Sequence, residues 1–312
     1  MSVRRARGRS LSGTFLLDKS TGMTSNHALQ RVKRLFDANK AGHTGSLDPL
    51  ATGVLPICFG EATKFSQYLL ESDKSYRSTF SLGVQTDTGD CDGVVTDASD
   101  ASALTLETVA AAIETFRGPI EQVPSMYSAL KHRGQPLYKY ARQGVEIERS
   151  ARPVYIYDYQ LESFTPGATA LLEVYIKCSK GTYVRSLAED LGVLLGCGAH
   201  VSRLHRTSAG AFSDHQSTCL ETLQALHEDA GSAALDRLLL PVDAAIADRP
   251  VAILDARAAA LLLQGRAVLL PEGFIPDLEA DIVRIFRDDE EFLGVAKLTD
   301  DGYLAPSRLV ST

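Results

Sequence analysis

The order of apolar and polar residues predicts alternating strands and helices over much of the chain. Residues 15–18, FLLD, form a short apolar run soon after Gly13 and predict a buried strand. From Ser25 onward, apolar residues recur at helical spacing, and either Thr24 or Ser25 suits the N-cap. This predicted helix has a basic outer face, formed by Arg31, Lys33, Arg34 and Lys40.

Later segments continue the alternation. Residues 61–71 and 105–117 predict helices, whereas residues 170–178 predict a strand. Residues 75–84 alternate like a strand, with one face made of Tyr76, Ser78, Phe80 and Leu82.

A further strand, turn and helix are predicted in SKGTYVRSLAEDLGVLLGCG, residues 179–198. Gly181 centres the turn, and Gly196 suits the residue that follows the helix. Tyr183 and Arg185 then lie where the helix begins, which is a common place for site residues. The side chains expected to point inward from the helix are Leu187, Leu191, Leu194 and Leu195.

The pattern changes near residue 249, where three short strands are predicted with the acidic turns DDEE and DDG between them. We therefore expect one domain over residues 1–248 and a small β-rich domain over residues 249–312.

Composition indicates a soluble globular enzyme, since 45% of the 312 residues are hydrophobic and 23% are charged. No run of apolar residues is long enough to predict a membrane span. The basic start, MSVRRARGRS, leads into no apolar signal segment, so a cytoplasmic protein is expected. Five scattered cysteines without a Cys-x-x-Cys pair argue against a disulfide framework and against structural zinc.

The net charge of −7 counts against a nucleic-acid partner, but charge is unevenly distributed. Residues 125–155 carry six basic and two acidic side chains, interleaved with Tyr127, Tyr138, Tyr140 and Tyr155. Basic residues among aromatic ones suit a surface that follows a nucleic-acid backbone and stacks bases. A solvated face over buried tyrosines explains this stretch equally well.

The acidic stretch over residues 86–101 resembles a calcium loop only superficially. The EF-hand spacing needs glycine and glutamate where this chain has Asp92 and Ala98. A solvated turn is the expected structure.

The segment AGHTGSLDPLATGVL, residues 41–55, fits neither helical spacing nor strand alternation. Pro49 biases Asp48 toward an extended backbone, and Gly42, Gly45 and Gly53 permit turns that side chains forbid. The segment therefore predicts a rigid loop that presents the Asp48 carboxylate.

Four explanations of this loop compete. Phosphate binding is disfavoured, because the spacing of a P-loop is absent. Metal binding is disfavoured too, because His43 and Asp48 have no third ligand nearby in the sequence. An aspartate that only bonds its own backbone and a nucleophilic carboxylate both stay open. A buried nucleophile needs a cationic partner, for which Arg185 is the candidate.

GHTGSLDPLATGVL closely resembles the catalytic motif of the TruB family of pseudouridine synthases. Further segments resemble bacterial members of that family in the same order. They are LLDKSTGMTSN (residues 16–26), ATKFSQYLLESDKSYR (62–77), TFRGPIEQVPSMYSALKHRGQPLYKYARQG (115–144) and CSKGTYVRSLAEDLG with CGAHVSRLHR (within 178–206). The resemblance is strong over residues 10–215 and looser in the C-terminal domain.

The resemblance implies an α+β pseudouridine synthase fold, with a mixed, mostly antiparallel sheet flanked by helices and a C-terminal PUA-like RNA-binding domain. It implies isomerisation of the uridine at position 55, in the T loop of tRNA, to pseudouridine after base flipping. No cofactor and no metal are expected, and neither is a membrane partner. The expected partner is the T arm of tRNA, and the expected state is a monomer.

The resemblance also implies residue roles. Asp48 matches the nucleophile, Tyr76 the tyrosine that stacks on the flipped base and assists proton removal, and Arg185 the partner of the aspartate. The remaining substrate-binding residues that it implies are His43, Tyr183, Leu204 and Lys64. Attack at C6 of the base and participation at C1′ of the ribose both stay open.

A rival hypothesis from another class is an RNA-binding and refolding module in which isomerase activity is secondary or absent. The acidic balance of residues 249–312, with seven basic and eleven acidic side chains, weakens the expectation that this domain binds RNA. A nucleotide-binding kinase or GTPase lacks its phosphate motif.

Overall fold

The structure is a computed structural model that describes residues 8–271, 273–274, 282–288 and 290–311. The predicted basic start therefore lies outside the described residues, except for residues 8–10. Among these described residues, no helix has the length and apolar character to cross a membrane.

The described strands and α-helices follow each other closely along the chain. The strands are β1 (Gly13–Lys19), β2 (Ala41–His43), β3 (Thr52–Phe59), β4 (Lys74–Leu82), β5 (Val84–Thr86), β6 (Val95–Ala98), β7 (Gly118–Gln122), β8 (Lys131–His132), β9 (Gln135–Pro136), β10 (Arg152–Thr165), β11 (Ala170–Cys178), β12 (Ala199–Ala209), β13 (Phe212–Ser213), β14 (Thr218–Cys219), β15 (Val251–Leu254), β16 (Val268–Leu269), β17 (Val283–Arg287), β18 (Phe292–Leu298) and β19 (Tyr303–Leu309). The helices are α1 (Ser25–Leu35), α2 (Ser66–Glu71), α3 (Leu106–Glu114), α4 (Leu137–Ala141), α5 (Val184–Leu194), α6 (Leu220–Ala234) and α7 (Ala256–Leu263).

The large sheet has the order β14-β1-β3-β12-β4-β11-β10-β7, with β2 beside β3 and β13 beside β12. Most neighbours are antiparallel, whereas β1 with β14 and β3 with β12 are parallel. Helices α1, α3, α5 and α6 contribute side chains to one core with this sheet. The predicted α+β fold is confirmed.

Local sequence explains where several elements begin. The Thr24 side chain caps α1 by accepting a hydrogen bond from the His27 N–H, and the buried positions of this helix include Ala28, Leu29 and Val32. Ser78, Phe80 and Leu82 are buried on one face of β4, as predicted, and Tyr76 is half-buried.

Two sequence predictions are wrong. Residues 41–55 are not irregular throughout, because β2 and the start of β3 lie within them. Strand β3 is buried on both faces and so shows no alternation. In α5, the buried stripe passes through Leu187, Ala188 and Leu191 toward Leu195, which leaves Leu194 exposed.

The second sheet has the order β15-β17-β18-β19-β16. The acidic segments DDEE and DDG lie between β17 and β18 and between β18 and β19, where the sequence predicted connections between strands. Contacts join it to the first part of the chain. Phe65 and Phe292 lie 5.3 Å apart between ring centroids, and the buried pair Arg284 and Asp243 is 2.8 Å apart. The boundary near residue 248 stays a prediction.

Gly53 allows the backbones of β3 and β12 to lie close together. Its φ is +99°, and a Cβ there would lie 2.2 Å from the carbonyl oxygen of Arg206. Gly22 has a similar φ of +81° but has no atom within 4 Å of its hypothetical Cβ. Substituting each glycine therefore distinguishes backbone strain, which both positions share, from steric exclusion, which only Gly53 has.

We expect Gly53→Ala to lower the free energy of unfolding more than Gly22→Ala does. Strain at positive φ costs about 1–2 kcal/mol in both variants. The forced separation of two central strands adds about 1–3 kcal/mol in Gly53→Ala alone. Urea unfolding measures both values, and equal losses would contradict the steric explanation.

Candidate active site

The loop that carries Asp48 is clamped on both sides. The Ser25 hydroxyl donates to the Leu47 carbonyl at 3.0 Å and accepts from the Leu47 N–H at 2.7 Å. On the other side, the buried Lys19 ammonium donates to the Met23 carbonyl at 2.8 Å and to the Pro49 carbonyl at 3.4 Å. The loop therefore presents Asp48 from a fixed backbone, as its sequence predicted.

Arg185 is the cationic partner of Asp48. Its Nε lies 2.9 Å from Asp48 Oδ2, and the Arg185 side chain is only 4% exposed. The same guanidinium donates to the Thr88 carbonyl at 2.9 Å and to the Tyr127 carbonyl at 3.1 Å, and it lies 3.6 Å from Asp90. The structure thus confirms the proximity that the sequence suggested, and α5 supplies it from its first turn.

The charge state of Asp48 reflects opposing effects. Burial raises its pKa above the ordinary value, and the neighbouring Asp90 carboxylate raises it further. The Arg185 and Lys19 cations lower it. About a third (36%) of the Asp48 side chain is exposed, so the carboxylate stays accessible from the cleft.

A cavity of about 360 Å³ lies beside Asp48 and gathers most of the predicted site residues. Its lining includes Asp48, Tyr76, Tyr183, Arg185 and Leu204. Burial raises the pKa of Tyr76 to about 12, so its hydroxyl is protonated at neutral pH. Burial also raises the pKa of Tyr183, whose backbone is held by the side chain of Gln122.

His43 lies in an adjoining cavity of about 610 Å³ that shares Asp48 and Arg185 with the first. Burial and the nearby Arg206 lower the pKa of His43. Its buried Nδ1 has no hydrogen-bond partner among the residues that the structure describes.

The structure does not bring Lys64 to the cleft. Its ammonium donates to the Leu309 carbonyl at 2.9 Å, to the Ser311 hydroxyl at 3.1 Å and to Glu61 at 2.6 Å. Lys64 therefore joins the short helix before α2 to the end of β19. Lys64 lies within a segment that resembles the family, but the sequence could not indicate a partner as far along the chain as Leu309.

Sequence reasoning missed three charged residues around Asp48. Arg206 is 1% exposed and lines the smaller cavity, and Lys19 is fully buried. Asp90 is 4% exposed and is the exception in an acidic stretch whose residues 91–100 are mostly exposed, as expected. The Asp90 side chain accepts from the Thr88 hydroxyl at 2.6 Å. Arg206 and Lys19 lie within segments that resemble the family, and that resemblance could have indicated them.

Within the described part of the chain, no group of three or more histidine, cysteine, aspartate or glutamate side chains could hold a metal ion. The residues at the cleft therefore provide an ion pair, phenols and buried cations. This set can hold one carboxylate ionised beside a planar ligand and can accept or donate protons through tyrosine.

The fold is shared with protein chains of solved complexes, two of which are the following. One is the archaeal box H/ACA sRNP Nop10–Cbf5 complex, at a TM-score of 0.68 and 23% identity over 96% of this chain and 86% of the other. The other is an H/ACA RNP bound to a substrate RNA containing 2′-deoxyuridine, at 0.71 and 22% over 100% and 92%. At this identity the likeness concerns the fold.

Sequence comparison identifies the family. Models of the TruB family pseudouridylate synthase N-terminal domain, the tRNA pseudouridylate synthase B C-terminal domain and the pseudouridine synthase II TruB C-terminal region match residues 33–184, 185–247 and 250–310. tRNA pseudouridine synthase B of Saccharophagus degradans is 54% identical over 311 residues, covering 100% of this chain and 99% of that protein. Its namesake in Aeromonas salmonicida is 50% identical over 313 residues, covering 98% and 96%. This chain belongs to the TruB family of pseudouridylate synthases.

We expect Asp90→Asn to lower the pKa of Asp48. The change removes a carboxylate whose charge opposes ionisation of Asp48, whereas the cation of Arg185 stays in place. A ¹³C NMR titration of the Asp48 carboxyl carbon measures the shift. Asp97→Asn, at an exposed position on β6, serves as the control, and an Asp48 pKa that rises in Asp90→Asn would contradict the assignment.

Proposed function

We propose that this protein isomerises a uridine in the T loop of tRNA, at position 55, to pseudouridine. The observation that carries the proposal is the ion pair of Asp48 and Arg185 beside Tyr76 in one cavity. Family membership and relatives named tRNA pseudouridine synthase B support the reaction and the tRNA substrate.

The reaction breaks the N1–C1′ bond, turns the base and rejoins it through C5. Asp48 acts as the nucleophile in its ionised form, at C6 of the base or at C1′ of the ribose. Arg185 keeps the carboxylate charged and oriented through its Nε contact of 2.9 Å. The isomerisation involves no net oxidation and no hydrolysis, so we propose no cofactor.

The target base must leave its stack to reach Asp48, because it has to enter the cavity that the Asp48 loop and the start of α5 line. Unstacking a base costs a few kcal/mol, and stacking on an aromatic ring recovers about 1–3 kcal/mol. Tyr76 provides that ring, while Tyr183 and Leu204 bound the cavity. His43, with its unsatisfied Nδ1, contacts the RNA that faces the adjoining cavity.

Cations without a described carboxylate partner support an RNA bound at the larger cavity, which Arg142 lines. Tyr138 and Arg142 of the basic, tyrosine-rich segment 125–155 line it, as do residues 24–26 at the start of α1. Lys131 and Arg142 form no ion pair with a described carboxylate, and neither does Arg34 on α1, although the protein is acidic overall. Unpaired cations beside a cleft suit a phosphate backbone.

We propose residues 249–312 as a separate PUA-like domain that contributes to RNA binding. Its acidic balance limits its electrostatic contribution, so the segment 125–155 provides most of the attraction to RNA. Lys64 contributes indirectly, by fixing this domain to the catalytic part through the Leu309 carbonyl. The protein acts as a monomer in this proposal.

We expect wild-type protein to release tritium from T-arm stem–loop RNA that carries [5-³H]uridine, and we expect Asp48→Asn to release none. The amide keeps the shape of the side chain but is not a nucleophile. Gel-shift titration checks that Asp48→Asn still binds the RNA, and Asp97→Asn is the matched carboxylate control.

The outcomes distinguish the hypotheses. Tritium release by Asp48→Asn would refute the nucleophile assignment. Tight binding without tritium release by wild-type protein would refute the isomerase and favour the RNA-binding module.

We expect Lys131→Glu and Arg142→Glu each to weaken RNA binding and to flatten its salt dependence. Loss of one phosphate contact lowers the slope of log Kd against log salt concentration by about 1. Fluorescence anisotropy at several salt concentrations measures the slope.

Lys177→Glu is the matched control for these charge reversals. Lys177 is exposed on β11, next to the buried Ile176, so its side chain points to the opposite face of the sheet from that residue. Unchanged slopes in Lys131→Glu and Arg142→Glu would refute the proposed RNA contact of this segment.

A further inference from the structure

Arg206 is a buried cation whose position needs an explanation. It is 1% exposed, and no described carboxylate forms an ion pair with it. Its Nε donates to the Val54 carbonyl at 2.8 Å, and one terminal nitrogen donates to the Gly45 carbonyl at 3.1 Å. Burying a guanidinium without a carboxylate is unfavourable, so a purely structural role would be served better by a neutral side chain.

The strand register directs this cation toward Tyr76. Arg206 on β12 lies opposite Gly53 on β3 and opposite Tyr76 on β4. The absence of a side chain at Gly53 permits the close approach of β12, and Gly45 lies 3.3 Å, measured from its hypothetical Cβ, from the other terminal nitrogen. The guanidinium is thus held between the Asp48 loop and the Tyr76 phenol, with which it interacts.

The charges around Tyr76 come from three other elements. Arg206 is the cation from β12, Cys178 lies on β11, and Asp48 lies on its loop. Burial and Asp48 oppose a phenolate, whereas Arg206 favours it. Arg206 is therefore the group in this set that can balance negative charge on the Tyr76 oxygen.

We propose that Arg206 is a positioning residue that fixes the Tyr76 oxygen as the proton acceptor for C5 and stabilises its phenolate form. This inference rests on the proposed isomerase function and deepens it. Arg206 acts through Tyr76 and through the Gly45 carbonyl, which also ties Tyr76 to the loop of the nucleophile.

The step in which Arg206 assists is a tautomerisation of the rejoined base. Once Asp48 has been released, the rejoined base has an N1–C6 double bond and a hydrogen on C5. The Tyr76 hydroxyl gives its proton to N1, which leaves a phenolate beside Arg206. The phenolate then takes the proton from C5, the electron pair of the C5–H bond forms the C5–C6 double bond, and the π electrons of the N1–C6 bond become the lone pair on N1. Nothing is oxidised or reduced, and no other reactant is consumed.

Single-turnover rates with saturating T-arm RNA test this role, comparing wild-type protein, Arg206→Gln and Arg206→Lys. We expect Arg206→Gln to slow the reaction by about 10²-fold, the lower range for general acid–base catalysis. Arg206→Lys keeps the charge and recovers part of the rate. RNA affinity stays within about threefold of wild type, because the RNA does not need Arg206 for binding in this proposal.

A substrate with deuterium at C5 of the target uridine separates proton transfer from folding. We expect the ratio of rates for hydrogen and deuterium to rise clearly in Arg206→Gln, because slower transfer from C5 then limits the rate. Thermal unfolding of each variant checks that it folds. If Arg206→Gln does not fold, the isotope ratio is measured with Arg206→Lys instead.

The outcomes are separable from those of the proposed function. Absence of pseudouridine with wild-type protein would refute the isomerase itself. Wild-type turnover with a folded Arg206 variant that reacts at the wild-type rate, or more slowly without a larger isotope ratio, would refute only the role of Arg206.

Discussion

The arrangement of the cleft depends on the buried guanidinium of Arg185. Its nitrogens contact Asp48 on the clamped loop, Thr88 and Asp90 after β5, and the Tyr127 carbonyl before β8. A guanidinium is planar and always charged, so it can bond several acceptors in fixed directions where an ammonium could not. Three segments distant in sequence are therefore held by one side chain, and loss of that side chain would leave the Asp48 and Asp90 carboxylates without the cation that contacts both.

Positive charge around Asp48 exceeds what one carboxylate needs. Burial lowers the pKa of Lys19 and of Lys74 to about 8, and Arg206 contributes to both shifts. Lys19 and Lys74 satisfy their donors with backbone carbonyls. Lys19 favours an ionised Asp48, and the positive cluster as a whole attracts an anionic ligand. Such a cluster opposes folding through desolvation, which is an accepted pattern where charge serves chemistry.

The segment between β3 and β4 connects the C-terminal sheet to the cleft. Lys64 contacts Leu309 and Ser311, and Phe65 packs near Phe292, whereas Leu70 at the end of α2 lines the smaller cavity. The segment between β3 and β4 thus contacts both the second sheet and the site. Ordering of the C-terminal sheet therefore constrains one wall of the cavity, whatever that sheet binds.

Local features of this protein follow from its sequence alone. The rigid Asp48 loop follows from Pro49 and the surrounding glycines, the start of α1 follows from Thr24, and the strand–turn–helix places Arg185 at the beginning of α5. Which distant groups meet depends instead on how the folded chain brings its elements together. Arg206 bonds Val54 and Gly45 across more than 150 residues of sequence, Asp90 is buried beside Arg185, and Lys64 faces Leu309. Periodicity fixes which face of an element is buried, but strand order and register fix its neighbours, and the energies of buried charges depend on those neighbours.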